Sequence, residues 1–413
     1  MEIKNYKKNN IEVNYVQNNM FKKVSVMLTF KRLVDQKMFM INHMLSKMLV
    51  TSTLKYNTNR DLNINCMQNY NVNYNTNSRR DGIYSTFTFG FSVLNDLYTE
   101  KGNLKKVVDT FNEMIFNPNV ENNKFNEDEF NIVYKQFKMN IESEKENARY
   151  YIDKKMSEKM GLDTPISYTY SLELLNKITN EDLYNGYLDL INNSEVSLYI
   201  TGNNVDLSLF DSTLEKLKSK KYELPVYINS KINKKISITE ENYNGYQSLL
   251  MVGIKFKDLS KYQKSYVVPI YNNILGAGAS SILFDVVREK NSLCYFINSR
   301  YEKDDNIIYI TAGIEKENYE KAKKLILDVI KNISLITDDE IESTKKDIVS
   351  YVKESLDNPI NYLLPFYYSK LYDEDIVYEK INKISNVTKE DIHNLANNLF
   401  VTDIYFLRGC ALN

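Results

Sequence analysis

Residues 274–295 read ILGAGASSILFDVVREKNSLCY. A Gly-Ala-Gly-Ala-Ser-Ser run followed by apolar residues at helical spacing is typical of a tight loop that leads into a helix. Glycine allows unusual backbone angles, and the N–H groups at a helix N-terminus favour a carboxylate or a peptide carbonyl. Arg288 and Tyr295 then add a guanidinium and a phenol. On composition alone, the simpler interpretation is structural, with Arg288 in solvent and Tyr295 in the core.

The order of residues in this segment resembles the C-terminal motif of the insulinase/pitrilysin family of inverted zinc metallopeptidases, the inverzincins, which includes mitochondrial processing peptidase. In that family a glycine-rich loop precedes Ser-Ser-x-Leu-Phe, an Arg-Glu-Lys run, Gly-Leu and a tyrosine. Ser292 departs from this pattern, because the family usually has glycine there. The residues in register are Ser280, Ser281, Leu283, Phe284, Arg288, Glu289, Lys290, Leu293 and Tyr295.

The whole chain sets the bounds for this interpretation. Its 413 residues suit two domains of roughly 200 residues, and 43% hydrophobic residues suffice for two cores. Lys+Arg 53 against Asp+Glu 54 points to neither nucleic acid nor an anionic membrane. The three cysteines are isolated, and no apolar run approaches the ~18 residues of a membrane span. We therefore expect a cytoplasmic protein.

Hydrophobic periodicity predicts one order of elements twice. The order is strand, helix, two-stranded hairpin and two long helices. In the first half we assign these elements to residues 22–31, 38–50, 71–77 with 82–93, 100–116 and 128–159. In the second half they fall at 247–255, 262–275, 295–301 with 306–313, 318–335 and 338–356.

Both halves also end alike. KITNEDLYNGYLDLINNSEVSLYITG at 177–202 and KISNVTKEDIHNLANNLFVTDIYFLRG at 383–409 share a helix cap, an acidic pair, an apolar helix face and a closing strand. Thr179 is the cap candidate of the first copy. We expect an internal duplication with halves at 1–216 and 236–413, joined by a linker at 217–235. The predicted fold class is α+β, each half a mixed or antiparallel sheet with helices on one face.

The resemblance directs attention to a zinc motif in the first half. An inverted site needs His-x-x-Glu-His on a helix, because positions i and i+4 place both imidazoles on one face and the glutamate acts as general base. Here His43 keeps the first ligand, whereas Ser46 stands at the base position and Lys47 at the second ligand. The third-ligand region falls near Asn140, the best-aligned residue, and Glu142, an imperfect substitute.

These residues predict that the chain binds no zinc. A lysine ammonium repels a dication, and serine cannot replace a carboxylate base at neutral pH. The other histidine of the chain, His393, belongs to the second half. A lone histidine on an apolar helix is more often packed than functional, so a structural role is the simpler interpretation of His43.

Family members of this size often work in pairs, in which one subunit carries zinc and the other keeps only the arginine and tyrosine. The resemblance therefore implies a heterodimer with a zinc-motif homologue, the two subunits enclosing a chamber. Arg288 and Tyr295 would act on a small unstructured or leader peptide held in the partner's zinc site. The glycine-rich loop would shape the same pocket, through Gly276, Ala277, Gly278, Ala279 and Ser280. Two alternatives remain open: an inactive structural or chaperone-like pseudopeptidase, and an enzyme with a mechanism of its own.

Overall fold

The computed structural model describes residues 2–162, 164–223, 232, 235–332 and 336–410. Most of the predicted linker at 217–235 lies outside these residues. The strands are β1 Glu2–Lys8, β2 Ile11–Gln17, β3 Lys23–Leu33, β4 Asn73–Asp81, β5 Tyr84–Leu94, β6 Val120–Glu121, β7 Lys124–Phe125, β8 Glu195–Gly202, β9 Ser237–Asn244, β10 Ser248–Phe256, β11 Cys294–Glu302, β12 Ile307–Ile314 and β13 Leu399–Cys410.

Helices occupy much of the rest of the described chain. They are α1 Gln36–Met48, α2 Asn59–Gln68, α3 Asn103–Phe116, α4 Glu127–Glu142, α5 Ala148–Met160, α6 Leu172–Leu175, α7 Asn180–Asn193, α8 Asp211–Lys216, α9 Val268–Asn272, α10 Tyr319–Asn332, α11 Asp338–Ser355, α12 Pro359–Tyr372, α13 Val377–Ser385 and α14 Lys389–Ala396. Wide π-helical turns at Gln263–Val267 and Asn273–Ala277 extend α9 in both directions, and a further one spans Phe284–Glu289.

The predicted duplication is visible in the two large sheets. The first sheet has the order β1-β2-β8-β3-β5-β4 and the second β9-β13-β10-β12-β11. In both, the closing strand of the half pairs parallel to one neighbour and antiparallel to the other. The two closing helices are capped alike, because Thr179 with Asp182 and Thr388 with Asp391 each form a capping box. The α+β fold class with two homologous halves is confirmed.

The chain falls into two compact units that differ from the two sequence halves. Residues 143–169 of the first half belong with the second sheet, and Ser355–Glu374 of the second half belong with the first. The exchanged segments contain α5 and α12, which occupy corresponding places in the order of elements. Unit 1 comprises Met1–Glu142, Tyr170–Pro225 and Ser355–Glu374, and unit 2 comprises Ser143–Thr169, Val226–Glu354 and Asp375–Asn413.

In each unit both faces of the sheet are covered. Within unit 1, α1, α3 and α7 pack on one face, and α12 packs against β8 and β3. Within unit 2, α5 packs on β10 and β13, where Met156 and Met160 meet Met251 and Tyr405 in a core of their own. Covering both faces explains why β10 is buried along its whole length. The prediction placed helices on one face of each sheet. The structure adds one exchanged helix, α12 in unit 1 and α5 in unit 2, on the other face.

The long helix predicted at 128–159 is instead two helices. The chain leaves α4 through a 3₁₀ turn at Ser143–Glu146, and the side chain of Asn147 then caps α5 by accepting from the N–H of Tyr150. The buried carboxylate of Glu144 lies 2.8 Å from the ammonium of Lys154 and fixes this turn. The break lets α4 stay in unit 1 while α5 joins unit 2.

Candidate functional site

The helix that should carry a zinc motif is α1. Asp35 caps it by accepting from the N–H of Met38. The half-buried ring of His43 donates from Nδ1 to the carbonyl oxygen of Phe39 at 2.7 Å. Its centroid lies 4.6 Å from that of Phe39 and 5.3 Å from that of Tyr170. Burial lowers the pKa of His43, so the ring is held neutral among aromatic side chains.

The next two motif positions offer no zinc chemistry. The hydroxyl of buried Ser46 donates to the carbonyl oxygen of His43 at 2.7 Å, and the carbonyl of Ser46 accepts from the hydroxyl of Thr76 on β4. Lys47 points into solvent. This turn of α1 therefore serves packing and brings no second ligand to His43.

The third-ligand candidates lie on the exposed side of α4. Asn140 accepts from the side chain of Gln136 at 2.9 Å, and Glu142 lies 3.9 Å from Lys138. The buried side of α4 presents Phe137, whose ring meets Tyr170 at 5.9 Å between centroids. Aromatic rings thus occupy the surroundings in which a third ligand would be needed.

Taken together, these positions do not fit zinc, which requires three protein ligands at a catalytic site. Among the residues that the structure describes, no three His, Cys, Asp or Glu side chains gather closely enough to hold a metal ion. His43, Ser46 and Lys47 share one helix, but neither Asn140 nor Glu142 joins them.

In unit 2 the structure brings Arg288 and Tyr295 together. Both line an open cavity of about 440 Å³. Arg288 is the penultimate residue of the wide helical turn Phe284–Glu289, and its guanidinium lies over the ring of Phe284, 4.6 Å from the centroid. The side chain is 42% exposed and its Nε lies 4.0 Å from the carboxylate of Glu289. A planar, partly exposed fork of N–H donors suits a carbonyl or carboxylate.

Tyr295 lies at an irregularity of the terminal strand β11. The register with β12 shifts between Cys294 and Phe296, so the strand bulges at Tyr295. A bulge redirects a side chain, and this phenol is 59% exposed. Its hydroxyl donates to the carboxylate of Glu315, and this hydrogen bond raises the pKa of Tyr295. The phenol is therefore protonated at neutral pH.

The glycine-rich segment is arranged differently from the sequence prediction. It begins as the end of the preceding helix, and the turn proper spans residues 278–280. Gly276 is buried against Ser299, whose Oγ a Cβ would meet at 2.7 Å, and the N–H of Gly278 donates to the carbonyl of Asn273 at 2.8 Å. The described lining of the cavity begins at Arg288 and does not include this segment. A substrate-binding role for residues 276–280 stays a prediction.

Several lining residues escaped the sequence analysis. Glu315 and Asn318 follow β12, about twenty residues beyond the motif, and reach the cavity because β11 and β12 form a hairpin. The strand predicted at 306–313 ends before Glu315, so no local sequence signal pointed to its contact with Tyr295. Cys294 also lines the cavity, where burial raises its pKa to about 11. It therefore stays a protonated thiol, which argues against a cysteine nucleophile.

A search of the helices in the described part of the chain found none with the length and apolar character that a bilayer crossing requires.

Comparisons with known proteins agree with the predicted resemblance. Residues 177–348 match the family model described as Peptidase M16 inactive domain. The Bacillus subtilis (strain 168) protein described as probable inactive metalloprotease YmfF is 26% identical over 353 residues, covering 82% of each chain. The uncharacterized zinc protease YmxG of the same organism is 25% identical over 315 residues, covering 72% of this chain and 73% of that protein.

Solved structures support the fold. The crystal structure of a conserved protein from Enterococcus faecalis V583 matches with a TM-score of 0.89 and 22% identity, covering 100% of this chain and 99% of that one. This structural match shows the fold, whereas the family-model match and the YmfF relative confirm the resemblance that the motif at 274–295 predicted.

Proposed function

We propose that this chain, a member of the insulinase/pitrilysin (M16) family, is the non-zinc subunit of a heterodimeric metallopeptidase that cleaves small unstructured or leader peptides. The observation that carries the proposal is an asymmetry between the two units. Arg288 and Tyr295 line one open cavity, whereas His43, Ser46 and Lys47 provide no metal site. The relative described as a probable inactive metalloprotease supports inactivity of this chain alone.

The partner in this proposal is a zinc-motif homologue. It supplies the zinc, the general-base glutamate and the water. This chain binds the peptide and donates hydrogen bonds to it through its own side chains. It needs no cofactor of its own. Bacillus subtilis has both YmfF, described as a probable inactive metalloprotease, and YmxG, described as an uncharacterized zinc protease, which supports a pairing of this kind.

Tyr295 would serve the reaction as a hydrogen-bond donor. Cleavage of a peptide bond places negative charge on the carbonyl oxygen, and one donor aimed at that oxygen is typically worth about 3 kcal/mol in the transition state. The phenol is exposed, protonated and set on a bulge at the sheet edge. These properties suit a donor that meets a substrate presented from outside this chain.

Arg288 would position the peptide. Its guanidinium lies over the ring of Phe284, 4.6 Å from the centroid. Because the planar fork is preorganised, less conformational freedom is lost when it binds a carbonyl or carboxylate. The segment 276–280 would support the same region from the other end of the helix.

An extended peptide would also gain backbone hydrogen bonds at a sheet edge. Of the four terminal strands of the two large sheets, β4 and β11 lie beside the motif residues. β11 carries Tyr295, and β4 contacts α1 through the hydroxyl of Thr76 and the carbonyl of Ser46. Strand addition favours unstructured peptides, because a folded protein does not present an unpaired extended segment. A chamber formed with the partner would exclude folded proteins further. We propose that the reaction takes place in the cytoplasm.

The experiment that tests this function is cleavage by mixtures. The purified chain, a zinc-motif homologue from the same genome and their mixture are each incubated with an unstructured peptide, and products are identified by mass spectrometry. The proposal expects cleavage by the mixture at a rate well above that of either protein alone. Full activity of the homologue without this chain would contradict it.

A second candidate function is a structural or chaperone-like pseudopeptidase. The observation that favours it is the enclosure of His43 by Phe39 and Tyr170, which shows α1 built for packing. Stable pairing with the homologue, peptide binding and no cleavage of any peptide offered would support this candidate.

A further inference from the structure

The contact between Tyr295 and Glu315 is set by the backbone. Cys294 pairs with Ile314 across the hairpin, and the bulge follows at Tyr295 while Glu315 follows Ile314. Because the two strands are antiparallel, Tyr295 and Glu315 lie diagonally across the hairpin, and their long side chains meet at the mouth of the cavity. The N–H of Asn318 donates to the carbonyl of Glu315, which starts a 3₁₀ turn and fixes the acidic residue.

A phenol has one proton to donate. In this structure that proton goes to the carboxylate of Glu315. A hydrogen bond to a charged acceptor is about twice as strong as one to a neutral acceptor. A neutral peptide carbonyl is therefore a weaker acceptor than Glu315, whereas an oxyanion covered by the bound peptide carries a full charge and is less hydrated than the exposed carboxylate of Glu315, so it competes for the donor.

We propose that Glu315 is a positioning residue that withholds the Tyr295 hydroxyl from the ground-state peptide carbonyl and releases it only to the oxyanion of the transition state. The inference rests on the proposed function. Its consequence is that Tyr295 contributes to turnover and not to peptide affinity, which is the division that accelerates a reaction most.

The charge of Glu315 also slows the reaction. Its negative charge lies close to the place where the oxyanion forms, so the contact restrains activity as well as directing it. Replacing the carboxylate with a neutral amide removes both effects. Glu315→Gln keeps the shape of the side chain and leaves Tyr295 with a weaker acceptor.

The test uses binding to the full chain alone, measured by calorimetry. Two probes are compared: a blocked, uncharged pentapeptide amide, and the same peptide with a phosphinate in place of the central amide as a tetrahedral anion. The variants are Tyr295→Phe, Glu315→Gln and the double variant. Glu289→Gln is the matched control, because Glu289 lines the same cavity and its replacement removes the same charge.

In the unmodified chain and in Glu289→Gln, we expect Tyr295→Phe to weaken phosphinate binding roughly tenfold and to leave amide binding unchanged. In the Glu315→Gln background, the same replacement should weaken binding of both probes. A loss of amide affinity on Tyr295→Phe in the unmodified chain would overturn the proposal. So would equal effects of that replacement in both backgrounds, or no effect on the phosphinate.

The kinetic counterpart is measured on the active complex. Glu315→Gln should lower KM for a neutral peptide several-fold, and the effect should vanish when residue 295 is Phe. The binding test needs no partner and no cleavage. A failed cleavage assay would therefore refute the proposed function, whereas binding results that contradict the expectation refute only the role of Glu315.

Discussion

The hydroxyl of Ser46 donates to the backbone carbonyl of His43 at 2.7 Å. The side chain at the general-base position is thus turned back onto its own helix. Its neighbours Met44, Leu45 and Met48 are buried in the core of unit 1. The helix has kept its packing role while the residues that would perform the chemistry are absent.

Restoring the motif letters should not restore the metal site. We expect the double variant Ser46→Glu, Lys47→His to retain no zinc after loading and desalting, because Asn140 and Glu142 lie on the exposed side of α4 and two histidines are fewer ligands than a stable site needs. Because Ser46 is buried, the glutamate introduced there should also lower the free energy of unfolding by about 1–3 kcal/mol.

Metal analysis and urea unfolding check this prediction, with the zinc-motif homologue as the positive control for loading. One zinc retained per chain of the double variant would show that a third ligand reaches His43.

The stability of the protein should depend on His43 in mild acid. Burial, with the ammonium of Lys47 as a smaller cause, lowers the folded-state pKa of His43, whereas the unfolded chain binds a proton near pH 6.5. The unfolded state therefore gains protons first, and this contribution to the free energy of unfolding falls as pH drops below about 6.5.

Urea unfolding between pH 5 and 7.5 measures the effect. In His43→Gln the loss of stability on acidification should be smaller than in the unmodified chain. His393→Gln, at an exposed position of α14, is the matched control for replacing a histidine outside a packed core. Parallel pH curves for the unmodified chain and His43→Gln would contradict the prediction.

Ser292, where the family usually has glycine, has a φ of 51°. A left-handed backbone costs a non-glycine residue roughly 1–2 kcal/mol. Glycine avoids this cost, but it also gives the unfolded chain more conformational freedom, which offsets part of the gain in stability. We expect Ser292→Gly to raise the free energy of unfolding by about 0.5–1 kcal/mol.

Chemical denaturation is the measurement here too. Asn123, with a φ of 62° in the turn between β6 and β7, offers a matched comparison, since asparagine tolerates this conformation and Asn123→Gly should gain less. A lower stability of Ser292→Gly would show that the serine side chain makes a favourable contact.

Tyr295→Phe removes a single hydroxyl from the cavity. We expect the variant to pair normally with the zinc-motif homologue and to lower turnover of the complex roughly a hundredfold, because one oxyanion donor is lost. Tyr246→Phe is the control, since Tyr246 is 82% exposed in the same unit. Unchanged turnover would remove Tyr295 from the mechanism.

Local patterns explain what the sequence could predict. Thr179 and Thr388 each precede an aspartate by three residues, and this spacing identified both closing helices. Alternation of apolar and polar residues identified β3, and a strand was also predicted at 247–255, where β10 lies. The degenerate motif at His43 was also readable from sequence, because it depends on residue types at fixed spacing.

Non-local contacts explain what the sequence could not predict. Pro365 argues against a helix at 359–372, yet α12 forms there and Tyr367 fixes it by donating to Asp81 on β4 at 2.8 Å. No local sequence pattern predicts that α5 and α12 pack in the unit formed by the other half of the chain. Glu315 was missed for the same reason, since only the β11–β12 register brings it to Tyr295.

The most direct test of the central claim is zinc content measured together with peptidase activity, on this chain, on a zinc-motif homologue and on their purified complex. The account predicts one zinc per complex, none on this chain alone, and activity that requires both the partner's zinc motif and Tyr295. Zinc bound to this chain, or cleavage by this chain alone, would contradict it.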